Sequence, residues 1–127
     1  MSSDFPPVVL GLVTVSIVDH GDVWVAALQG EIDLTNVDML AHSLDQLPNQ
    51  SLGLIVDLTG VGYLDSSGIA LLHNLATRMD QRAQGLVVVS SESSRPYRVL
   101  TLTEFTARAP VVADLQEAIR LVRETSA

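Results

Sequence analysis

Valine, leucine and isoleucine are dense from Val8 to Val18, give way at Asp19-His20-Gly21-Asp22, and return at Val23-Trp24-Val25-Ala26-Ala27-Leu28. Two apolar runs around a turn cluster predict a β-hairpin. Val37, Leu40, Ala41, Leu44 and Leu47 then recur at helical spacing until Pro48 stops them. Thr35, followed three residues later by Asp38, approximates a capping box for that helix. Leu54-Ile55-Val56-Asp57-Leu58 is an unbroken apolar run of strand length, the pattern of a strand covered on both faces. Thr59-Gly60-Val61-Gly62 reads as the turn after it. Beyond Gly68, Ile69, Leu72, Leu75, Ala76 and Met79 form one helical stripe, ended by Gly85. Leu86 to Ser90 is a fourth strand of buried type, and Ser90 to Ser94 is a loop. Pro96 suits the first turn of a helix with Val99, Leu100 and Leu102 on its apolar side. Val111-Val112 is a brief fifth strand. Asp114 is placed to cap a last helix that turns Leu115, Ala118, Ile119 and Val122 inward.

Strand, strand, then alternating helix and strand implies an α/β fold. We expect one domain: a mixed, mostly parallel sheet of about five strands, an N-terminal β-hairpin, and about four helices packed on the sheet. Residues 8–127 form that domain, and residues 1–7, polar and ending in two prolines, are expected to be a flexible tail.

Charge narrows the function. A formal net charge of −8 disfavours nucleic acid and anionic membrane surfaces, both of which need Lys and Arg. It suits a partner with a basic docking face. Without cysteine there is no disulfide or thiolate chemistry. Met1-Ser2-Ser3-Asp4 lacks the start of a signal peptide, and no run reaches the ~18 apolar residues of a spanning helix, so a cytoplasmic protein is expected.

Catalysis is not expected either. Ser66 lies outside a Gly-x-Ser-x-Gly elbow, because Leu64 stands two residues before it, and no histidine has the context of a base. His20 reads as a loop residue, His42 as exposed and His73 as a helix flank; none is paired at metal-ligand spacing. Gly60 and Gly62 do not make a phosphate loop. Asp33, Asp57 and Asp65 are the one conceivable carboxylate cluster, and neither a metal nor a cofactor is expected there.

The remaining candidate is Asp65-Ser66-Ser67-Gly68, which the pattern places at a helix N-terminus. Asp and Ser cap helices well, so the bland reading is a cap. The sharper reading is a phosphate acceptor. An added phosphate brings about −1.5 to −2 charges and meets unpaired amides at the helix start.

Leu64-Asp65-Ser66-Ser67-Gly68-Ile69, after a Val-Asp-Leu strand, resembles the signature of the STAS domain, shared by sulphate transporters and bacterial anti-sigma factor antagonists. Leu28-Gln29-Gly30-Glu31-Ile32-Asp33 looks like the family's Gly-Glu-hydrophobic-Asp segment. Weaker likeness continues through Gly85-Leu86-Val87-Val88-Val89 and Val99-Leu100-Thr101-Leu102-Thr103, so the resemblance spans roughly Val13 to Val122. Ala70 and Glu104 depart from it where Gly is frequent in the family. The resemblance implies an antagonist whose unmodified form binds an anti-sigma factor that is also a serine kinase, releasing a sigma factor. It maps the phosphorylated residue to Ser66, with Ser67 second, and a docking surface to Asp33, Asp65, Ser66, Ser67 and Gly68. A serine phosphatase reverses the modification, and the antagonist is a monomer or weak homodimer. The alternative within the family is a non-cycling STAS binding module of a stress-signalling or lipid-transport complex.

Overall fold

The computed structural model describes residues 5–48 and 50–125. Six strands form one sheet in chain order: β1 (Val8–Leu10), β2 (Val13–Asp19), β3 (Val23–Ile32), β4 (Gly53–Leu64), β5 (Gly85–Val89) and β6 (Val111–Val112). The first three pair antiparallel and β3 to β6 pair parallel. Four helices lie between and after them: α1 (Val37–Asp45), α2 (Ser66–Gln81), α3 (Arg95–Leu102) and α4 (Leu115–Thr125). No described helix is long and apolar enough to cross a membrane.

The alternation along β4 explains its apolar run. Leu54, Val56 and Leu58 join the larger core with Leu40, Leu72, Leu75 and Leu100 from α1, α2 and α3. Ile55 faces the other way, into a smaller core closed by Ala118, Ile119 and Val122 of α4. A strand with a core on each side has no use for polar alternation. The predicted α2 stripe is buried as spaced, with Leu71 added.

The structure differs from the sequence reading in several places. Leu102, expected on the apolar side of its helix, is exposed at the end of α3, whose buried residues are Pro96 and Leu100. There are six strands because the apolar stretch from Val8 to Val18 breaks at Gly11, whose φ of +64° turns the chain. The Gly60 and Gly62 segment is not a turn: β4 runs on through it to Leu64, with register shifts against β3. A side chain on Gly60 would press on the Leu28 carbonyl and Gln29, so this glycine lets two backbones approach. Gly85 does not end α2, which stops at Gln81 with Ala83 in the left-handed region; Gly85 opens β5. Thr35 forms no capping box with Asp38; Asn36 is the N-cap position of α1 and bonds elsewhere. Finally, the second strand does not stop at Leu28: β3 continues through Gly30 and Glu31 to Ile32.

Of the expected tail, residues 1–4 lie outside the described residues. The Phe5 amide donates to the Ile17 carbonyl at 3.3 Å and its ring centre stands 5.7 Å from that of Trp24. His42 is exposed, and the half-buried His73 meets the edge of Phe105 at 5.1 Å between ring centres.

Glu104, just past α3, has φ +61°, a conformation that costs a residue with a Cβ about 1–2 kcal/mol. It leads into a 3-10 turn over Phe105–Ala107 that buries Phe105 completely. The departure from glycine noted in the sequence therefore falls on a position where glycine relieves strain. Glu104→Gly is expected to raise stability by about 0.5–1 kcal/mol, read as a shift in the urea midpoint at constant slope. A lower midpoint would count against left-handed backbone here.

Candidate functional site

The parallel strands all end on one side of the sheet, and the loops that follow them gather there. Ile32 pairs with Leu64 at the ends of β3 and β4, and the Asp65 amide donates to the Ile32 carbonyl at 3.3 Å. Asp33 and Asp65, 32 positions apart in the chain, thus leave adjacent strand ends side by side.

Asp65 is the N-cap of α2. Its backbone is extended, and its carboxylate accepts from the amides of Ser67 at 2.9 Å and Gly68 at 3.2 Å, and from the Ser67 hydroxyl. The Ser67 hydroxyl does most to hold this carboxyl below the usual carboxylate range. Partial burial opposes it, and the amides of Gly68, Ser67 and Leu34 add to it. A depressed folded value means that the stabilisation is present above the unfolded value, ~3.9, and is lost as pH falls through the folded one. Asp65→Ala should cost about 1 kcal/mol at pH 7. Asp65→Asn, also a good cap, should stay near wild type at pH 7 but lose that acid sensitivity, as followed by thermal melts from neutral pH downward. An unaltered acid limb in Asp65→Asn would refute this assignment.

The two serines are not equivalent. Ser67 is half-buried and its hydroxyl is engaged by Asp65. Ser66, the first residue of α2, is exposed, and its hydroxyl has no hydrogen-bond partner among the described residues. One sequence expectation changes here. A phosphate on Ser66 does not meet free Ser67 and Gly68 amides, because Asp65 already holds both. It is added beside a carboxylate that stays charged.

Gly68 is buried rather than presented. A Cβ there would overlap a Leu64 methyl and come within 3.1 Å of Ile32, so the residue seats α2 on the ends of β3 and β4. Asp33 is turned into its own loop, accepting from the Thr35 amide at 2.9 Å and the Thr35 hydroxyl. Asp57 does the same with Thr59, at 2.9 Å and 2.8 Å. Among the described residues no three His, Cys, Asp or Glu side chains are grouped to hold a metal ion.

Sequence reasoning missed Asn36, which is 1% exposed. Its Nδ2 donates to the Glu31 carbonyl at 2.9 Å and its Oδ1 accepts from the Asp33 amide at 3.1 Å. It ties the end of β3 to the start of α1 and fixes the loop that carries Asp33. The preference of Asn for the position before a helix does not signal this role, because the side chain makes no cap hydrogen bond and reaches back to β3 instead.

Residues 14–118 match the family model of the STAS domain. The chain belongs to the STAS domain family. The matched stretch runs from β2 to the first half of α4, so it contains every loop of the site. This STAS domain is 29% identical over 92 residues to the anti-sigma-F factor antagonist RsfB of Mycobacterium tuberculosis, covering 71% of this chain and 75% of the relative. The crystal structure of an anti-sigma factor antagonist from Mycobacterium paratuberculosis superposes with a TM-score of 0.75 at 25% identity, covering 87% of this chain and 94% of that one. The antagonist SpoIIAA in its unphosphorylated form shares the fold, with a TM-score of 0.69 at 17% identity over 87% of this chain and 96% of its own.

Proposed function

We propose that this STAS domain is an anti-sigma factor antagonist, a binding protein and not an enzyme, switched by phosphorylation of Ser66. In its unmodified form it binds an anti-sigma factor with serine kinase activity, and a sigma factor is released. The kinase transfers the ATP γ-phosphoryl group to the Ser66 oxygen, the hydroxyl proton leaves, and the complex separates. A serine phosphatase restores the hydroxyl.

The observation that carries this reading is the contrast between neighbouring hydroxyls: Ser66 exposed and unengaged, Ser67 held by Asp65. A kinase needs an acceptor that can enter its active site without dismantling a cap, and Ser66 meets that requirement. Kinship with named antagonists supports the partner class.

The switch is electrostatic. On the free domain a phosphate at Ser66 is solvated, and its repulsion from Asp65 is weak. In an interface water is withdrawn. Two like unit charges ~5 Å apart repel by roughly 1 kcal/mol in water and roughly 3 kcal/mol at an effective dielectric near 20. The difference falls on the complex alone, so the modification governs docking rather than folding.

Incubation of the full chain with the serine-kinase anti-sigma factor of the same genome and ATP, followed by mass-spectrometric mapping, tests the reading. Phosphate on Ser66 that disappears in Ser66→Ala is the expected result. Modification of another residue, or stable complexes with transport ATPase subunits and no phosphate transfer, would instead favour the non-cycling binding module.

A further inference from the structure

Exposed apolar residues at the site end of the sheet lie to one side of Ser66. Leu34, 77% exposed, immediately follows Asp33, and its amide lies close enough to Asp65 to help hold that carboxylate charged. Met39, 49% exposed, is in the first turn of α1. It lines an open groove of about 500 Å³ with Asp38, Val8, Leu10 and His42. On the other flank of α1, Asp38 also lines a groove of about 240 Å³ that starts at Ser67 and descends between α1 and α2. The start of α1 is therefore a ridge with an apolar crest and a groove on each side, continuous with the serine loop.

The charge around this ridge is mainly negative, and the arginine that lines the α1/α2 groove, Arg78, is paired with Asp45 at 3.1 Å. Residues 1–77 contain nine Asp and Glu and not one Lys or Arg. Glu31, Asp33, Asp38 and Asp65 all belong to that stretch; Asp33 and Asp38 immediately precede Leu34 and Met39 in the chain, and the Leu34 amide lies beside Asp65. All seven arginines come later, and four of them are in ion pairs with carboxylates elsewhere. An apolar centre inside a rim of uncompensated carboxylates fits a partner face of opposite make-up, with apolar residues ringed by Arg or Lys.

We infer that the docking footprint runs from Ser66 across Leu34 to Met39, over the start of α1 and away from α3, with Leu34 and Met39 as its apolar anchors. The inference rests on the reading of Ser66 as a kinase-controlled docking site, and the occupant is the basic-rimmed face of that kinase. It also explains how one phosphate can control a whole interface: Ser66 adjoins the apolar patch, so a phosphate there is carried into the zone that loses water on binding.

Isothermal titration of the purified serine-kinase anti-sigma factor with the full chain tests it. Leu34→Ser and Met39→Ser should each weaken binding by roughly tenfold or more, and the double variant by roughly a hundredfold. Leu102→Ser is the control: Leu102 is 75% exposed but is the last residue of α3, a helix length from the loop at the site, and its variant should bind within about twofold of wild type. These side chains are exposed, so all variants should melt with the wild type, and that measurement separates lost contacts from lost fold. If Leu34→Ser and Met39→Ser bind as wild type while Ser66→Glu does not, the footprint is overturned and the Ser66 switch stands. If the wild type itself does not bind the kinase, the switch falls and the footprint with it.

Discussion

Ser66→Glu is expected to bind the kinase at least 30-fold more weakly than wild type and to melt within about 2 °C of it. The two halves of this outcome have separate causes. Ser66 is exposed and its hydroxyl supports no other group, so a carboxylate there displaces nothing in the folded domain. An acidic residue at the first turn of a helix is also mildly favourable, by about 0.3–1 kcal/mol, which offsets part of its repulsion from Asp65 in water. In the complex water no longer screens the pair, and the repulsion between two full charges outgrows that compensation. One added charge ~5 Å from Asp65 should cost about 2–3 kcal/mol more in the interface than in water, which is roughly 30- to 150-fold in affinity. A phosphate, with up to twice the charge, should take the loss to several hundredfold or beyond. Ser66→Ala should bind as wild type and resist modification. Ser67→Ala should still be modified at Ser66, but with Asp65 less firmly held. Wild-type affinity in Ser66→Glu would remove the electrostatic basis of the switch, whereas a melting temperature far below wild type would show that Ser66 has a structural role.

Periodicity announced the elements that bury a continuous stripe. The α2 stripe from Ile69 to Met79 and the two-faced apolar run of β4 were readable because one hydrophobic pattern fixes both period and orientation. Glycines were harder. Gly11 sits inside an apolar run and turns the chain, whereas Gly60 and Gly62 look like a turn and continue a strand. Only the neighbours across the sheet distinguish these cases, and they are remote in sequence. The site was legible as a cap, because Asp65 before two serines has a local chemistry. Which serine is free was not legible, since either hydroxyl suits an N-terminal turn; the engagement of Ser67 by Asp65 settles that geometry. The exposure of Leu34 and Met39 was equally hidden, because a hydrophobic residue in a sequence gives no sign of having been left outside the core.

Gly30→Ala is expected to lower the melting temperature by roughly 6–25 °C, the largest stability loss among the single changes considered. Gly30 lies in β3 between Val13 of β2 and Val61 of β4, with φ +110°, where a residue with a Cβ is strained by about 1–3 kcal/mol. Space is worse than strain. A Cβ on Gly30 would land on the Leu12 carbonyl oxygen, and that oxygen accepts the Glu31 amide at 2.9 Å. Neither partner can give way as a flexible side chain would, because both are backbone: Gly30 within β3 and Leu12 in the tight turn bonded to it. Relieving the clash breaks the hydrogen bond and lifts the Gly11-Leu12 turn off β3, adding another 1–2 kcal/mol. The sum, about 2–5 kcal/mol, is a large part of the 5–15 kcal/mol that holds an ordinary domain folded. At roughly 3–5 °C per kcal/mol for a chain of this size, it gives the shift stated. Gly62→Ala is the internal comparison, because a Cβ on Gly62 meets nothing within 4 Å and its φ is not positive; it should move the melting temperature by no more than about 4 °C. The site is affected too. Gly30 is what allows the Gly11-Leu12 turn and the start of β2 to close against β3 one residue before Glu31, whose carbonyl anchors Asn36 and through it Asp33. The glycine of the Gly-Glu-Ile-Asp block and the aspartate three residues later are therefore parts of one device, a tight backbone contact that fixes where the Asp33 loop begins. Equal melting temperatures for Gly30→Ala and Gly62→Ala would show that this contact does not exist.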